Sequence, residues 1–224
     1  MSSITERIDA ITALPLERAV AVPPCPRSVK IELTARCDFK CWFCATSWNL
    51  RKRGDMPLDL FKRLASELRE AGVEELGVFY LGESFLYPAL SEAIRFAKRD
   101  CGFPYVFLTT NGRLATPERV RLCIEAGLDS LKFSFNWADA EQCLKTTRVD
   151  AFLSVIANIR GARKVRDEIE RATGHKCGIY ASSIRYDGEQ LKRMEEAIKV
   201  ILPFVDEHYW LPLYNQAALI EGIK

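Results

Sequence analysis

Val29-Lys30-Ile31-Glu32-Leu33-Thr34 leads through Ala35-Arg36 into Cys37-Asp38-Phe39-Lys40-Cys41-Trp42-Phe43-Cys44, and the fold turns on how this stretch is read. The first run is apolar and strand-like, and the second sets three cysteines at C-x3-C-x2-C spacing on a polar loop. Thiolates in tight spacings of this kind hold iron–sulfur clusters. Three of them grip three corners of a four-iron cube and leave the fourth iron open. An open coordination position is where a metal site binds or activates a reactant.

Three plainer readings compete with the cluster. A structural zinc site usually takes four N or S ligands, and His175 and His208 are both remote in sequence. A disulfide framework belongs to oxidising compartments, and nothing here looks secreted. Buried inert cysteines are common, but three of them beside Asp38 and Lys40 do not look like core. The other five, Cys25, Cys101, Cys123, Cys143 and Cys177, are scattered and form no second motif.

With aromatic Phe43 directly before its last cysteine, the signature resembles the radical S-adenosylmethionine (radical SAM) superfamily. The likeness is to the core domain of the SPASM/twitch-type branch, without the cysteine-rich C-terminal extension of many such relatives. It implies a 4Fe-4S cluster on Cys37, Cys41 and Cys44, with S-adenosylmethionine bound at the free iron through its amino and carboxylate groups. It further implies reductive cleavage of that cofactor to a 5′-deoxyadenosyl radical, which abstracts hydrogen from a small-molecule or peptide substrate. An external one-electron donor such as flavodoxin or ferredoxin is implied as well. The cofactor carries this chemistry, and the protein orients it and excludes side reactions.

Composition sets the frame. At 224 residues, 48% hydrophobic and 28% charged, the chain has the make-up of one ordinary globular domain. A net charge of +2 supplies no strong field for nucleic acid or an anionic membrane. No apolar stretch reaches membrane-spanning length, and the start, Met1-Ser2-Ser3-Ile4-Thr5-Glu6-Arg7, lacks the build of a signal peptide. A cytoplasmic enzyme without nucleic-acid or membrane partners is expected.

Residues 1–27 read as a lead-in that closes with Pro23-Pro24-Cys25-Pro26, and residues 28–224 as the core domain. Strand-like segments at 29–34, 75–81, 104–109, 129–135, 176–184 and 207–213 alternate with helical patterns. Leu60, Leu64 and Leu68 recur every fourth residue before Gly72. Thr116-Pro117 opens a helix that Gly127 closes, with Cys123 on its apolar face. Phe152, Val155, Ile156, Ile159, Ala162, Val165 and Ile169 trace one side of a long helix. Strands alternating with helices predict an α/β fold with a parallel sheet and right-handed crossovers. A full eight-fold barrel needs about 250 residues, so a partial, open (β/α)6 TIM-like barrel is expected, which is also the fold the resemblance implies.

In such folds ligands gather where strands end. After the second strand comes Leu81-Gly82-Glu83-Ser84-Phe85, similar to the family's Gly-Gly-Glu-Pro segment but with Leu81 for the first glycine and Ser84 for the proline. Gly82 suits close backbone approach to a ligand, and the resemblance makes Glu83 an acceptor for the methionyl ammonium. Thr109-Thr110-Asn111-Gly112 is a turn on conformational grounds and matches a family segment beside cofactor or substrate. Alternation along the fourth strand puts Lys132, Ser134 and Asn136 on one face. The resemblance assigns Ser134 and Asn136 to the cofactor, while Lys132 reads as a structural ion pair. On the fifth strand Ile179, Ala181, Ser183 and Arg185 share a face, with Arg185 placed as a clamp on the methionyl carboxylate or as a surface residue. Phe43 and the Trp210–Tyr214 run are candidates for packing the adenine. Trp42, Trp48, Arg51, Lys52 and Arg53 stay unassigned, as a solvated face or a contact for an anionic substrate or electron donor. The alternative functions are an iron–sulfur electron-transfer or sensing protein without radical catalysis, and a zinc or interaction module.

Overall fold

The computed structural model describes residues 20–48 and 52–213. The lead-in before residue 20, Arg51, the side chain of Trp48 and the tail from Tyr214 lie outside them. Six strands, β1 Ser28–Lys30, β2 Glu75–Gly77, β3 Tyr105–Thr110, β4 Ser130–Ser134, β5 Gly178–Ile184 and β6 Glu207–Leu211, form one sheet in sequence order. Every pairing is parallel. Parallel neighbours need crossovers, supplied here by helices α1 Leu58–Glu70, α2 Leu90–Arg95, α3 Pro117–Glu125, α4 Ala140–Thr147, α5 Phe152–Thr173 and α6 Gly188–Lys199. The expected open α/β barrel is the observed architecture.

Local chemistry sets the helix ends. Thr116 occupies the cap of α3 with Pro117 in its first turn, and Gly127, at φ +107°, lets the chain leave. On α5 the predicted stripe is buried from Val155 to Ile169. Residues on the other side of the sheet from the lumen complete this core: Leu131 and Phe133 are fully buried, and Phe133 meets Val155 over Gly112. Cys123 is core, as expected.

Five strands are shorter than the pattern suggested, β1 and β2 most of all. Ile31 still donates to Gly77 O at 2.8 Å, but beyond it the Glu32 carboxylate accepts from Leu81 N and Gly82 N at 2.9 and 2.8 Å. A side chain thus takes over where ladder bonds would continue. The backbone of Leu33 turns instead to Met56, and Thr34 bridges Asp55 antiparallel. This departure frees the chain to form the cysteine loop at the carboxyl end of β1.

The amino ends of the strands carry a repeated device. Asp129, just before β4, accepts from Val106 N of β3 at 2.7 Å and pairs with Lys98 at 2.8 Å. Asp206, just before β6, accepts from Ile179 N of β5 at 2.8 Å and pairs with Arg166 of α5 at 2.9 Å. Each aspartate ties a strand, its neighbour and a helical cation into one unit, and each satisfies a backbone donor that the sheet would otherwise leave unpaired.

Candidate cluster and cofactor site

The cysteine loop is fixed before any metal is considered. Lys40 N donates to Thr147 O at 2.9 Å and Trp42 N to Thr146 O at 3.3 Å, binding the loop to the end of α4. Phe39 is buried edge-on against Trp137 with ring centroids 5.6 Å apart. Asp38 accepts from Asn111 Nδ2 at 2.7 Å and from Arg113 Nε at 2.5 Å. Cys44 N donates to Cys41 O at 3.0 Å, and Ser47 Oγ reaches the same carbonyl at 2.8 Å.

Cys37, Cys41 and Cys44 are free and half-buried. Burial pushes the Cys37 thiol up to about 12, opposed by the Phe39 amide and reinforced by Glu83, Asp38 and Cys44. Burial raises Cys41 as well, with Cys44 and Cys37 adding to the rise. Ionising Cys37 and Cys41 against that burial calls for positive charge beside them, and iron meets that need. Among the described residues no His, Cys, Asp or Glu side chains converge as ligands of one metal ion. A four-iron cluster asks for no such convergence, because each corner iron takes one thiolate. The donor set therefore fits a cluster held at three corners. Cys143, which the sequence left scattered, lies near Cys41, but it is fully buried and directed at Val149 O.

Glu83 stands beside the loop with its carboxylate buried. Oε1 accepts from Thr110 Oγ1 at 2.7 Å and Phe85 N at 3.1 Å, and Oε2 accepts from Asn111 N at 2.8 Å. Burial pushes it up to about 7 against the pull of these donors. By lone-pair count Oε2 retains one vacant acceptor position. Gly82 does permit a close approach, and the neighbour is the protein itself: a Cβ there would sit 2.0 Å from Thr34 O and 2.9 Å from Arg36 O. Glu83 N donates to that same Arg36 carbonyl at 2.8 Å. The second-strand loop and the cysteine loop are thus pressed together backbone to backbone.

The fourth and fifth strands differ in how they matched expectation. Lys132, Ser134 and Asn136 alternate with buried Leu131, Phe133 and Phe135, as predicted. Ser134 makes no side-chain hydrogen bond to another described residue, whereas Asn136 Oδ1 accepts from Ile184 N at 3.0 Å. Lys132 forms no ion pair among the described residues; its Nζ lies 5.6 Å from the Tyr209 ring centroid, and burial together with Lys30 lowers it to about 8. On β5 the face of Ile179 and Ala181 is core, and Tyr180 and Ser182, in register with Lys132 and Ser134, line the lumen instead. Arg185 is exposed just past β5 and makes no ion pair among the described residues. Phe43 is half-buried, edge-on to Trp42. Tyr186, which sequence reasoning missed, donates to Asn136 O at 3.1 Å and is raised to about 12 by burial and the nearby Cys41. It borders a cavity of about 900 Å³ lined also by Trp42, Arg148 and Leu213. Among the described residues, Trp137 Nε1 is the buried side-chain N or O atom without a partner.

Comparison with known proteins agrees with this arrangement. GTP 3',8-cyclase of Chlorobaculum tepidum is 32% identical over 127 residues, covering 57% of this chain and 38% of that protein. The tungsten-containing aldehyde ferredoxin oxidoreductase cofactor-modifying protein of Pyrococcus furiosus is 30% identical over 175 residues, 77% of this chain and 47% of that one. The chain therefore spans about half, or less, of the length of these curated relatives. Among solved structures, methylornithine synthase (PylB) superposes with a TM-score of 0.67 at 16% identity, covering 88% of this chain and 56% of its own. Streptococcus suis SuiB bound to S-adenosylmethionine gives 0.63 at 17%, covering 86% and 40%. At those identities the likeness is one of fold. The Radical SAM superfamily model matches residues 31–169, from just past β1 through the cysteine loop to the last turns of α5. Cluster and S-adenosylmethionine are that family's cofactors, and it is to the radical SAM superfamily that this chain belongs.

Proposed function

We propose that residues 28–224 act as the core domain of a cytoplasmic radical SAM enzyme working on a small organic molecule or a peptide. Bound together, cluster and S-adenosylmethionine supply a 5′-deoxyadenosyl radical that takes hydrogen from the substrate. The observation that carries this reading is the placement of three free thiols at the carboxyl end of β1, in a loop braced by α4, β3 and the second-strand loop. That is where ligands bind in parallel α/β folds.

Cys37, Cys41 and Cys44 hold the cluster. The vacant position on Glu83 Oε2 accepts from the methionyl ammonium, while the carbonyls that the missing Gly82 side chain admits keep the loop at the right depth. Ser134, with its hydroxyl uncommitted, and Asn136, whose Nδ2 remains available after Oδ1 is used, bond the ribose or the carboxylate. Phe43 packs the adenine, and Arg185 reaches the carboxylate from the end of β5. An external donor such as flavodoxin or ferredoxin supplies the electron. No helix among the described residues is long and apolar enough to cross a membrane.

The test is anaerobic reconstitution with iron and sulfide, then dithionite and S-adenosylmethionine, with 5′-deoxyadenosine as readout. The wild-type chain is expected to form it and Cys37→Ala to form none. Equal amounts from both would end this reading.

A further inference from the structure

The barrel lumen holds two lysines to which cofactor binding gives no task. Lys132 is flanked along β4 by Leu131 and Phe133, both fully buried against the helices, so alternation turns it inward. Its register partners are Thr109 and Tyr180, two residues below Ser134 on the same face. Lys30 ends β1, and its Cγ meets the Phe107 ring over Gly77, where a Cβ would lie 3.0 Å from one and 2.9 Å from the other. Both lysines thus lie beneath the strand ends that carry the cofactor residues, Lys132 half-buried on β4 and Lys30 exposed to solvent at the end of β1.

Neither lysine forms an ion pair among the described residues. Lys132 Nζ rests 5.6 Å from the Tyr209 ring centroid and Lys30 Nζ 5.5 Å from that of Phe79. The carboxylates on this side of the sheet are engaged: Glu32, two residues on from Lys30, accepts from Leu81 N and Gly82 N, Glu75 faces Arg27 at 3.7 Å, and Glu207 also has a partner. Lys132 is half-buried without a counter-ion among the described residues and loses hydration there, whereas Lys30 is exposed at the end of β1 and keeps its water. Repulsion between the two is still felt, for Lys30 adds to burial in lowering Lys132. Contact with an aromatic ring offsets only part of that cost. A structural role alone would be filled better by a methionine at position 132. An anion between the two ammonium groups would remove both the repulsion and the missing charge.

We propose that Lys30 and Lys132 form the charge-holding end of the substrate site, so that the substrate is an organic anion bearing a compact carboxylate or phosphate group. Held there, the anion lies where Lys30 meets solvent, below the cofactor residues, and leaves the rest of the molecule directed up toward the cluster loop. This rests on the radical SAM reading only in treating the bound anion as the substrate's.

The experiment uses inorganic phosphate and succinate as probes in two arms, with the whole chain and ionic strength balanced by chloride. Melting temperature is followed against probe concentration for wild type, Lys30→Met, Lys132→Met, Lys132→Arg and the exposed control Lys192→Met. A ligand that binds only the folded state stabilises it by RT ln(1 + L/Kd), where L is the probe concentration, so the melting point climbs with the logarithm of L once that exceeds Kd. The wild type and Lys192→Met are expected to show a logarithmic rise with at least one probe. Lys30→Met and Lys132→Met should bind it roughly tenfold or more weaker, and Lys132→Arg should keep most of the affinity. The stronger arm distinguishes phosphate from carboxylate. No rise in wild type, or equal rises in all five proteins, overturns the proposal. If wild type forms 5′-deoxyadenosine but shows no lysine-dependent rise, the anion site alone is lost. If it binds the probe and never forms that product, the radical reading is lost and the anion site stands.

Discussion

A methyl group on Gly82 would press on two carbonyl oxygens that belong to backbone, Thr34 at 2.0 Å and Arg36 at 2.9 Å, so no rotamer change relieves it. Gly82→Ala is expected to cost about 2–4 kcal/mol in urea unfolding and to lower iron incorporation, since the loop it displaces adjoins the cysteine loop. Unchanged stability would show that the two loops are not locked together. Lys132 makes the opposite prediction. Its ordinary value of 10.5 is lowered to about 8 in the folded state. At pH 7 both states hold the proton, and the folded one carries the cost of enclosing it. Between those two values the unfolded chain binds a proton that the folded chain has released, so stability climbs with pH there. Lys132→Met should therefore stabilise the protein at pH 7 by about 2–3 kcal/mol, with the gain shrinking by pH 10.5. A lower melting point for the variant at pH 7 would contradict this. Both positions were visible in the sequence, Gly82 by its motif and Lys132 by alternation. Their partners were not, because Thr34 O and Lys30 are brought close only by the sheet.

Between elements, the aspartates at the amino ends of β4 and β6 govern how strands seat against helices. Asp206 serves Arg166 and Ile179 N together, and Arg166 is nearly inaccessible. Removing the acid leaves a buried guanidinium with only the more exposed Asp167 and Glu170 as counter-ions and strips Ile179 N of its acceptor. Asp206→Ala is expected to lose about 3–5 kcal/mol in denaturant unfolding. Asp129→Ala should lose less, because Lys98 keeps more solvent and a second acceptor in Pro104 O. Similar losses at the two sites would mean that burial of the cation is not what sets the scale. This device was illegible in sequence, since the partners of Asp206 lie 40 and 27 residues away. Helix ends were legible because their signals are local: Thr116-Pro117 and Gly127 bracket α3 as read. The α4 start could have been found the same way, as Asp139 caps Gln142 N at 2.8 Å. Strand existence was legible too, and strand ends were not. Glu32 looked like one more residue of an alternating strand, yet its carboxylate replaces the ladder.

Across the whole molecule, the cysteine loop hangs on a barrel that does not depend on it. The core packs between sheet and helices, and the loop itself is held by Lys40 N to Thr147 O, Trp42 N to Thr146 O and the Asp38 contacts with Asn111 and Arg113. Small metal domains behave differently: their ligands are their core, and they unfold when the metal is withdrawn. Here iron should decide activity and leave the fold alone. Treating reconstituted protein with a chelator under reducing conditions is expected to abolish the visible iron–sulfur absorption while the far-ultraviolet circular dichroism keeps its α/β shape. Melting of the stripped chain should stay cooperative, at a temperature close to that of the Cys37→Ala, Cys41→Ala, Cys44→Ala triple variant. That variant loses the same ligands without any chelator present, so agreement between the two separates loss of metal from chemical damage. Collapse of the circular dichroism in both would mean that the cluster is part of the folding core, and that the backbone bonds from the loop to α4 and the Asp38 side-chain bonds to Asn111 and Arg113 are too weak to position three thiols in advance.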